Sequence, residues 1–300
     1  MNRKLLSIIL IITVATITGC SNKQLNAQSQ QSNGSSVIKN KSNTESDNST
    51  IKDTKTNSTI DARATTNKVN LYNVIENTYK IANITIKYPQ ISNLGDDDKQ
   101  SKINKLIKDS VIEGYDLTET IKTGVIPDYN ESIENLTMDV TYIIGLQNEN
   151  MLSIEYLGEA NMKNSAHPNN NLYTTNIDIA NMKILRLSDM FTIDQTLVNA
   201  FRNGTYIPWR EDYKSEDIKI LTENLKSEIY NYNNDKYMLT SLEQSDNQSI
   251  GSTNPGWYFS YLTKDGLVIS TTVSHAGGDH AEFKIPYNVL KDNIKEDNIL

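Results

Sequence analysis

The densest group of chemically reactive side chains lies in one short glycine-rich segment. His275, Asp279 and His280 fall within six residues of one another, around two consecutive glycines. Imidazole and carboxylate groups bind zinc at about 2.0–2.2 Å, and His167 or Glu282 would complete such a ligand set. The same spacing suits a tight turn in which a glycine takes a positive φ and the polar side chains face water. We expect the turn, with no metal and no cofactor.

The common catalytic motifs are missing from this sequence. It contains no Gly-x-Ser-x-Gly, no P-loop, no His-Glu-x-x-His and no Cys-x-x-Cys. With 37 acidic residues in the chain, the abundance of carboxylates alone identifies no catalytic pair. We therefore expect a protein that is not an enzyme. The alternative is a metal-dependent or carboxylate-based envelope hydrolase that uses His167, His275, Asp279 and His280.

Aromatic residues offer a second way to bind a ligand. The chain has two tryptophans and 16 tyrosines, and most such rings serve as core or cross-strand packing. Trp257 is the first residue of a predicted strand, and we include it among the candidate ligand-binding residues. The full candidate set is His167, Trp257, His275, Asp279 and His280.

The first twenty residues predict export and a lipid anchor. Arg3 and Lys4 form a basic head, and an apolar run follows over residues 5–17. That run is shorter than the roughly 20 apolar residues of a membrane-spanning helix, which is typical of a signal peptide. Residues 17–20 resemble a bacterial lipobox that ends in Cys20, the single cysteine of the chain. The lipobox resemblance implies a signal peptide over 1–19 and a diacylglycerol on Cys20, which makes the membrane a partner through that lipid.

A polar segment separates the anchor from the rest of the chain. Residues 20–66 comprise the acylated cysteine and a linker rich in serine, asparagine, threonine, lysine and glutamine, without aromatic residues. Such a composition cannot bury enough apolar surface to offset the entropy lost on ordering, so we expect disorder. The folded part would then lie on the extracytoplasmic face of the cell membrane, and we expect a Gram-positive host.

The charge balance narrows the classes of partner. The chain has a net charge of −8, and loss of Arg3 and Lys4 with the signal peptide would leave 27 basic against 37 acidic residues, or −10. Nucleic acid needs a basic footprint on its protein partner, so we expect no nucleic acid. Basic partners are favoured instead, because complementary charge speeds encounter.

Hydrophobic periodicity places the candidate residues on a mixture of strands and helices. Alternating apolar residues predict a strand over 79–91 that Pro89 stops. Three aspartates at 96–98 precede an apolar stripe at three- and four-residue spacing, which predicts a capped helix that ends by Gly114. Helical stretches are also predicted near 194–202 and 215–230. Further strands are predicted at 138–146, 151–160, 172–179, 184–187, 257–262, 267–274 and 282–287.

These elements define a fold class. Because the strands cluster and do not alternate regularly with helices, the sequence predicts an α+β protein with antiparallel sheets and packed helices. We expect two small subdomains, an N-terminal one over 67–190 and a C-terminal one over 191–300.

Several segments together resemble a known extracytoplasmic family. The segments are, in order, residues 86–91, 102–104, 166–169, 176–178, 187–191, 257–259, 265–267 and 285–287. They resemble the domain of unknown function shared by the lysozyme-sensing anti-sigma factor RsiV and the N-terminal region of the peptidoglycan deacetylase PdaC. The resemblance covers roughly residues 79–292.

The resemblance implies a module that binds a ligand outside the cell. The anti-sigma factor also has a cytoplasmic sigma-binding segment and a transmembrane helix, and the deacetylase has a metal-dependent catalytic domain. We find no corresponding segment in this sequence, and no catalytic residue of the family is carried over. We therefore expect a non-catalytic lipoprotein of the cell envelope that binds a basic envelope protein such as a lysozyme, or peptidoglycan.

Overall fold

The computed structural model describes residues 72–209, 212–232, 234–247 and 257–295. All of them belong to one compact unit, Ala64–Leu300. The predicted signal peptide, Cys20 and the polar linker lie outside the described residues. None of the described helices is long and apolar enough to cross a membrane.

The first half of the described chain is dominated by one large sheet. It begins with β1 (Asn73–Ile81), β2 (Ile84–Ser92), α1 (Asp97–Gly114), α2 (Thr118–Thr123), β3 (Val125–Ile126) and β4 (Glu131–Ser132). It continues with β5 (Leu136–Gln147), β6 (Met151–Met162), β7 (Asn169–Asp178) and β8 (Lys183–Leu185). Strands β3 and β4 pair with each other, and the remaining strands form a six-stranded sheet in the order β1-β2-β5-β6-β7-β8.

Neighbouring strands of this sheet are antiparallel with one exception. β2 and β5 pair in parallel over Ile84–Ile86. A parallel pair needs a crossover connection, which here contains α1 and α2. The prediction of antiparallel sheets is therefore confirmed apart from this one parallel pair. No local pattern in the sequence predicts that pairing.

The single strand predicted over 79–91 is wrong in its extent. The chain turns at Ala82, where φ is 49°, so this region forms the β1–β2 hairpin. Pro89 lies inside β2 and does not end it. The backbone N–H of Ile91 bonds to Asn104 Oδ1 of α1 at 2.7 Å and not to β1. Backbone N–H groups two residues apart in a strand point to the same side, so an N–H at position 89 would also point away from β1. The missing N–H of Pro89 therefore removes no hydrogen bond to β1.

The predicted capped helix is confirmed as α1. The side chain of Asp96 accepts a hydrogen bond from the backbone N–H of Lys99 at 2.9 Å, which satisfies one free donor of the first turn. Ile103, Ile107 and Val111 are fully buried against the six-stranded sheet. Burial of each such side chain contributes about 1.5–3 kcal/mol to folding.

The second half of the described chain builds a smaller sheet with helices on one side. Its elements are α3 (Leu187–Met190), α4 (Gln195–Arg202), β9 (Thr205–Ile207), α5 (Ser215–Tyr232), α6 (Asp235–Glu243), β10 (Phe259–Leu262), β11 (Gly266–Thr272) and β12 (His280–Pro286). The four strands are all antiparallel, in the order β10-β11-β12-β9. The predicted helices near 194–202 and 215–230 are α4 and α5, whereas α6 and β9 were not predicted.

Two clusters of buried hydrophobic side chains support the two sheets. The first joins α1 to the six-stranded sheet and contains Ile154 of β6. The second joins α4, α5 and α6 to the four-stranded sheet and contains Phe201 of α4. The α+β class is thus confirmed, while the subdomain boundaries at 67–190 and 191–300 stay a prediction.

Strand alternation leaves the four-stranded sheet with one face outside its hydrophobic cluster. In β12, Ala281, Phe283 and Ile285 belong to the cluster, so His280 and Glu282 point to the opposite face. That second face meets the six-stranded sheet and carries the candidate site.

A buried polar network joins the two sheets. Ser153 Oγ of β6 accepts a hydrogen bond from the backbone N–H of Leu262 and donates one to Asn176 Oδ1, both at 2.7 Å. The Asn176 amide donates to the carbonyl of Ser260 at 2.9 Å. The carboxylate of Asp246 accepts from both the N–H and the hydroxyl of Ser260 at 2.6 Å. These bonds fix β10 against β6 and β7.

Candidate functional site

A pair of buried carboxyl groups lies where the two sheets meet. Glu155 of β6 and Glu282 of β12 are 5% and 7% exposed, and their side chains hydrogen-bond to each other. Tyr261 of β10 donates its hydroxyl to Glu282 Oε2 at 2.7 Å. Strands from distant parts of the chain therefore bring three polar side chains to one point.

Burial raises the pKa of both carboxyls, since a charged carboxylate loses its hydration there. The pKa of Glu155 rises to about 8, through burial first and the charge of Glu282 second. Burial raises the pKa of Glu282 to about 7, although the hydrogen bond from Tyr261 opposes this shift. The pair therefore holds at least one proton near neutral pH. Coupled groups that titrate near neutral pH are concentrated at functional sites.

His280 lies beside this pair on the same face of β12. Its Nε2 is 3.8 Å from Glu282 Oε1, and its side chain is 13% exposed. Burial lowers the pKa of His280. A hydrogen bond with the backbone of Asn170 and the charge of Asp279 both act in the opposite direction and raise it, but their effect is smaller. Within the described residues its Nδ1 is buried and has no hydrogen-bond partner. The ring is therefore a neutral imidazole at neutral pH.

The carboxyl pair lines a cleft of about 730 Å³, which we call the large cleft. Ile143 and Trp209 also line it, and they are 51% and 54% exposed. None of its described lining residues is a lysine or an arginine. The cleft thus combines an apolar part with an acidic part, whose carboxylate residues are Asp139, Glu155, Glu159 and Glu282.

A second cavity of about 320 Å³ adjoins it, and we call this the Trp257 cavity. The two cavities share Asn170, Asn171 and His280. Trp257, which is 55% exposed, and the ring pair Tyr173–Phe259 supply aromatic surface. The polar lining residues of the Trp257 cavity are Asn169, Asn170, Asn171, Ser270, Thr272, Asp279 and His280.

The glycine-rich segment forms a tight turn between β11 and β12. His275–Gly277 is one 3-10 turn, and Gly278 follows with φ of 106°, a conformation that favours glycine. His275 Nδ1 is 2.9 Å from Asp279 Oδ1, and Asp279 Oδ2 accepts from the backbone N–H of Asn170 at 2.8 Å. The turn is therefore held by the protein's own hydrogen bonds.

The structure brings together only some of the predicted ligand-binding residues. Trp257, Asp279 and His280 line the Trp257 cavity, and His280 lines the large cleft as well. His167 and His275 line neither cavity and stack on each other, with ring centroids 3.6 Å apart. That any of the five binds a ligand stays a prediction.

A metal-dependent hydrolase would need His167, His275, Asp279 and His280 to converge on one ion. In the part of the chain that the structure describes, no group of three or more His, Cys, Asp or Glu side chains is arranged to hold a metal ion. His167 and His275 meet at the turn, whereas His280 lies near Glu282.

Sequence reasoning missed Glu155, Tyr261 and Trp209, and assigned Glu282 only as a further metal ligand. A glutamate at the centre of the apolar segment 151–157 was the available signal for Glu155. Alternation alone puts such a residue on a solvated face, however, and only the packing of a second sheet on that face buries it.

Solved structures similar to this chain include two proteins of the DUF3298 family. No family model matches the sequence, and no curated protein matches it either. A member of the DUF3298 family from Bacteroides fragilis is 17% identical, with a TM-score of 0.38 over 75% of this chain and 93% of that one. A DUF3298 family protein from Pseudomonas aeruginosa is 13% identical, with a TM-score of 0.38 over 76% and 94%.

Proposed function

We propose that this chain is a non-catalytic lipoprotein of the cell envelope that binds a basic protein, such as a lysozyme-like hydrolase, in the large cleft. The observation that carries the proposal is the composition of the cleft. Four acidic residues line it, none of its described lining residues is a lysine or an arginine, and an exposed tryptophan lies beside them.

The charge distribution supports a basic partner in two ways. The whole chain carries a net charge of −8, which favours encounter with a positively charged protein. The exposed carboxylates of Asp139 and Glu159 then meet lysine or arginine side chains at short range, where hydrogen bonds to charged groups are strongest.

The exposed apolar residues of the cleft support a protein partner. Ile143 and Trp209 are each about half exposed. Tryptophan is enriched among the residues that dominate interface energetics, because it buries a large area in one step. An apolar part next to an acidic part matches the apolar centre and charged rim of typical interfaces.

The anchor completes the proposal. A lipid on Cys20 and a polar linker would hold the domain outside the membrane, within reach of proteins that enter the cell wall. Both features lie outside the described residues and rest on the sequence alone.

A hydrolase draws less support from the same geometry. Glycosidases separate their two carboxyl groups by about 5–9.5 Å, so that substrate or water fits between them. The Glu155 and Glu282 carboxyls instead hydrogen-bond to each other directly. In the other candidate set, Asp279 already bonds to His275 and to Asn170.

The test is kinetic binding of the full-length chain, in detergent, to a panel of basic lysozymes and one acidic protein. We expect micromolar or tighter binding to at least one lysozyme and none to the acidic protein. The association rate should fall as salt rises past about 0.15 M, where the Debye length is about 8 Å. Dissociation should change less, because it depends on the desolvated centre of the interface.

Two variants locate the surface. Trp209→Ala should weaken binding by roughly tenfold or more, as expected for an aromatic anchor. Tyr129→Ala is the matched control, since Tyr129 is 65% exposed and does not line the cleft. No binding to any lysozyme at micromolar concentration would remove the proposal.

A further inference from the structure

The Trp257 cavity carries chemistry that a basic protein partner does not need. Its polar lining consists mainly of side-chain amides and hydroxyls, which donate and accept hydrogen bonds equally well. At about 320 Å³ it lies at the small end of the range for small-molecule sites. We infer that this cavity is a binding site for a neutral saccharide unit, with the sugar ring stacked on Trp257 and its hydroxyls bonded to Asn171, Ser270 and Thr272.

Ser270 is the first observation. The residue is 1% exposed, yet it lines the cavity, and among the described residues no group hydrogen-bonds to its hydroxyl. A hydroxyl that faces a cavity without a protein partner is free to hydrogen-bond to a ligand or to water. Strand pairing explains its direction, since Ser270 lies opposite Phe259 on one side and Glu282 on the other. All three side chains therefore point to the face that carries the cavity.

The side chains around Ser270 are also available. Within the described residues, the amide of Asn171 and the hydroxyl of Thr272 have no hydrogen-bond partner. Asn170 donates its amide N–H to Asp279 Oδ2 at 3.3 Å, which leaves its own side-chain oxygen as an acceptor. Sugars present alternating hydroxyl donors and acceptors, and such a mixed set of protein groups matches them.

Trp257 is the second observation. Its side chain is 55% exposed although it lines the cavity, so one face of the indole is open. Its backbone has φ of 48°, in the left-handed region that bulky residues rarely adopt. Residues held in such conformations cluster at ligand clamps. The open face of the indole can stack on the C–H face of a pyranose ring. The hydroxyl groups at the edge of that ring can then hydrogen-bond to the amides and hydroxyls of the cavity.

The charge of the cavity selects among saccharides. Among the described residues that line it there is no lysine or arginine, so a phosphorylated or carboxylated sugar would meet no counter-charge from them. The single carboxylate, Asp279, already bonds to His275 and Asn170. A neutral hexose or N-acetylhexosamine therefore fits the lining better than an anionic sugar.

The test uses the tryptophans as reporters. The chain has two, Trp209 and Trp257, so the Trp209→Phe variant leaves Trp257 as the sole indole. The full-length variant is titrated with cellotriose, chitotriose, maltotriose and, as the anionic control, trigalacturonate. We expect a saturable change in emission with at least one neutral trisaccharide at millimolar concentration or below, and none with trigalacturonate.

A conservative substitution then ties the binding to the cavity. Ser270→Ala removes only the hydroxyl and should weaken the affinity by roughly fivefold or more, measured by calorimetry at an unchanged melting temperature. Ser165→Ala is the control, because Ser165 is exposed and does not line the cavity. Trp257→Ala should abolish sugar binding. If the Trp257→Ala variant does not fold, the Ser270→Ala variant alone decides whether the sugar binds in this cavity.

Two results would overturn the inference. One is the absence of a saturable signal with every neutral trisaccharide up to about 10 mM. The other is a Ser270→Ala variant that binds sugar as tightly as the wild type. Lysozyme binding is measured on the wild type and on Ser270→Ala, both of which keep Trp209, so that failure of the saccharide site and failure of the proposed protein partner are seen separately.

Discussion

The buried carboxyl pair predicts that the folded protein loses stability as the pH rises above neutral. The pKa values of Glu155 and Glu282 in the folded protein are about 8 and about 7, raised from the ordinary glutamate value of 4.5. A carboxyl whose pKa is raised by folding holds its proton in the folded state and has lost it in the unfolded state. Its contribution to stability is therefore fully present below the unfolded pKa and is lost as the pH rises through the folded pKa.

The size of the effect follows from the number of protons. Between about pH 6.5 and 9 the folded protein's excess of bound protons falls from nearly two to nearly none. An average excess of about 0.8 proton over about 2.5 pH units, at about 1.4 kcal/mol per proton and pH unit, gives a loss of roughly 3 kcal/mol. Asp246, whose pKa burial raises to about 6, and His280, whose pKa burial lowers, titrate mainly below this window.

The assay is urea unfolding of the full-length chain at several pH values across that window. In Glu282→Gln the amide keeps the shape of the side chain and removes one of the two charges. Glu155 then no longer faces a second carboxylate, so the loss of stability should shrink to about 1 kcal/mol. The control is Glu159→Gln, at an exposed position of β6, the strand that also carries Glu155. This variant should still lose roughly 3 kcal/mol of stability across the pH window. An equal loss in Glu282→Gln and in the wild type would refute the reasoning.

Three further predictions concern other parts of the molecule. Ser153→Ala leaves the buried N–H of Leu262 without a partner and should cost about 3 kcal/mol in urea unfolding, whereas Ser165→Ala at an exposed position should cost almost nothing. Cys20→Ala should abolish labelling by an alkyne fatty acid, and equal labelling of mutant and wild type would contradict the lipobox prediction. Zinc should not raise the melting temperature, because the turn is held without a metal. A zinc site at a hundred times its dissociation constant would add about 2.7 kcal/mol, and a rise lost in His275→Ala would reverse that reading.

The elements that the sequence predicted well are those with local signals. α1 combines an aspartate cap with an apolar stripe, and both act within a few residues. The β5–β6 hairpin follows from two alternating segments joined by a short polar turn. The Asp265–Gly266 pair likewise announces the β10–β11 hairpin. In each case the information lies in neighbouring residues.

The elements that the sequence did not predict depend on distant contacts. Pro89 is compatible with a strand interior only because β5 pairs with β2 no further than Ile86. The pairing of β2 with β5 itself is set by the crossover, which no local pattern encodes. The candidate site could not be predicted for the same reason. The sequence around Glu155 and Glu282 indicates ordinary exposed acidic residues, and only the packing of the two sheets face to face buries them. The turn at 275–280 was found because its histidines and glycines are neighbours in the chain.

The position of the carboxyl pair also bears on how the protein opens. β6 belongs to the large sheet, with its own buried cluster, whereas β12 and Tyr261 belong to the smaller one. A partial opening that separates the small sheet from the large one would dismantle both cavities, although most hydrogen bonds of either sheet would survive. A backbone N–H that bonds from one sheet to the other, such as that of Leu262, would then report the lifetime of a ligand-competent state. A bound ligand that bridges the two sheets would lengthen that lifetime, so slower exchange at Leu262, whose N–H bonds across the sheets, is its expected signature.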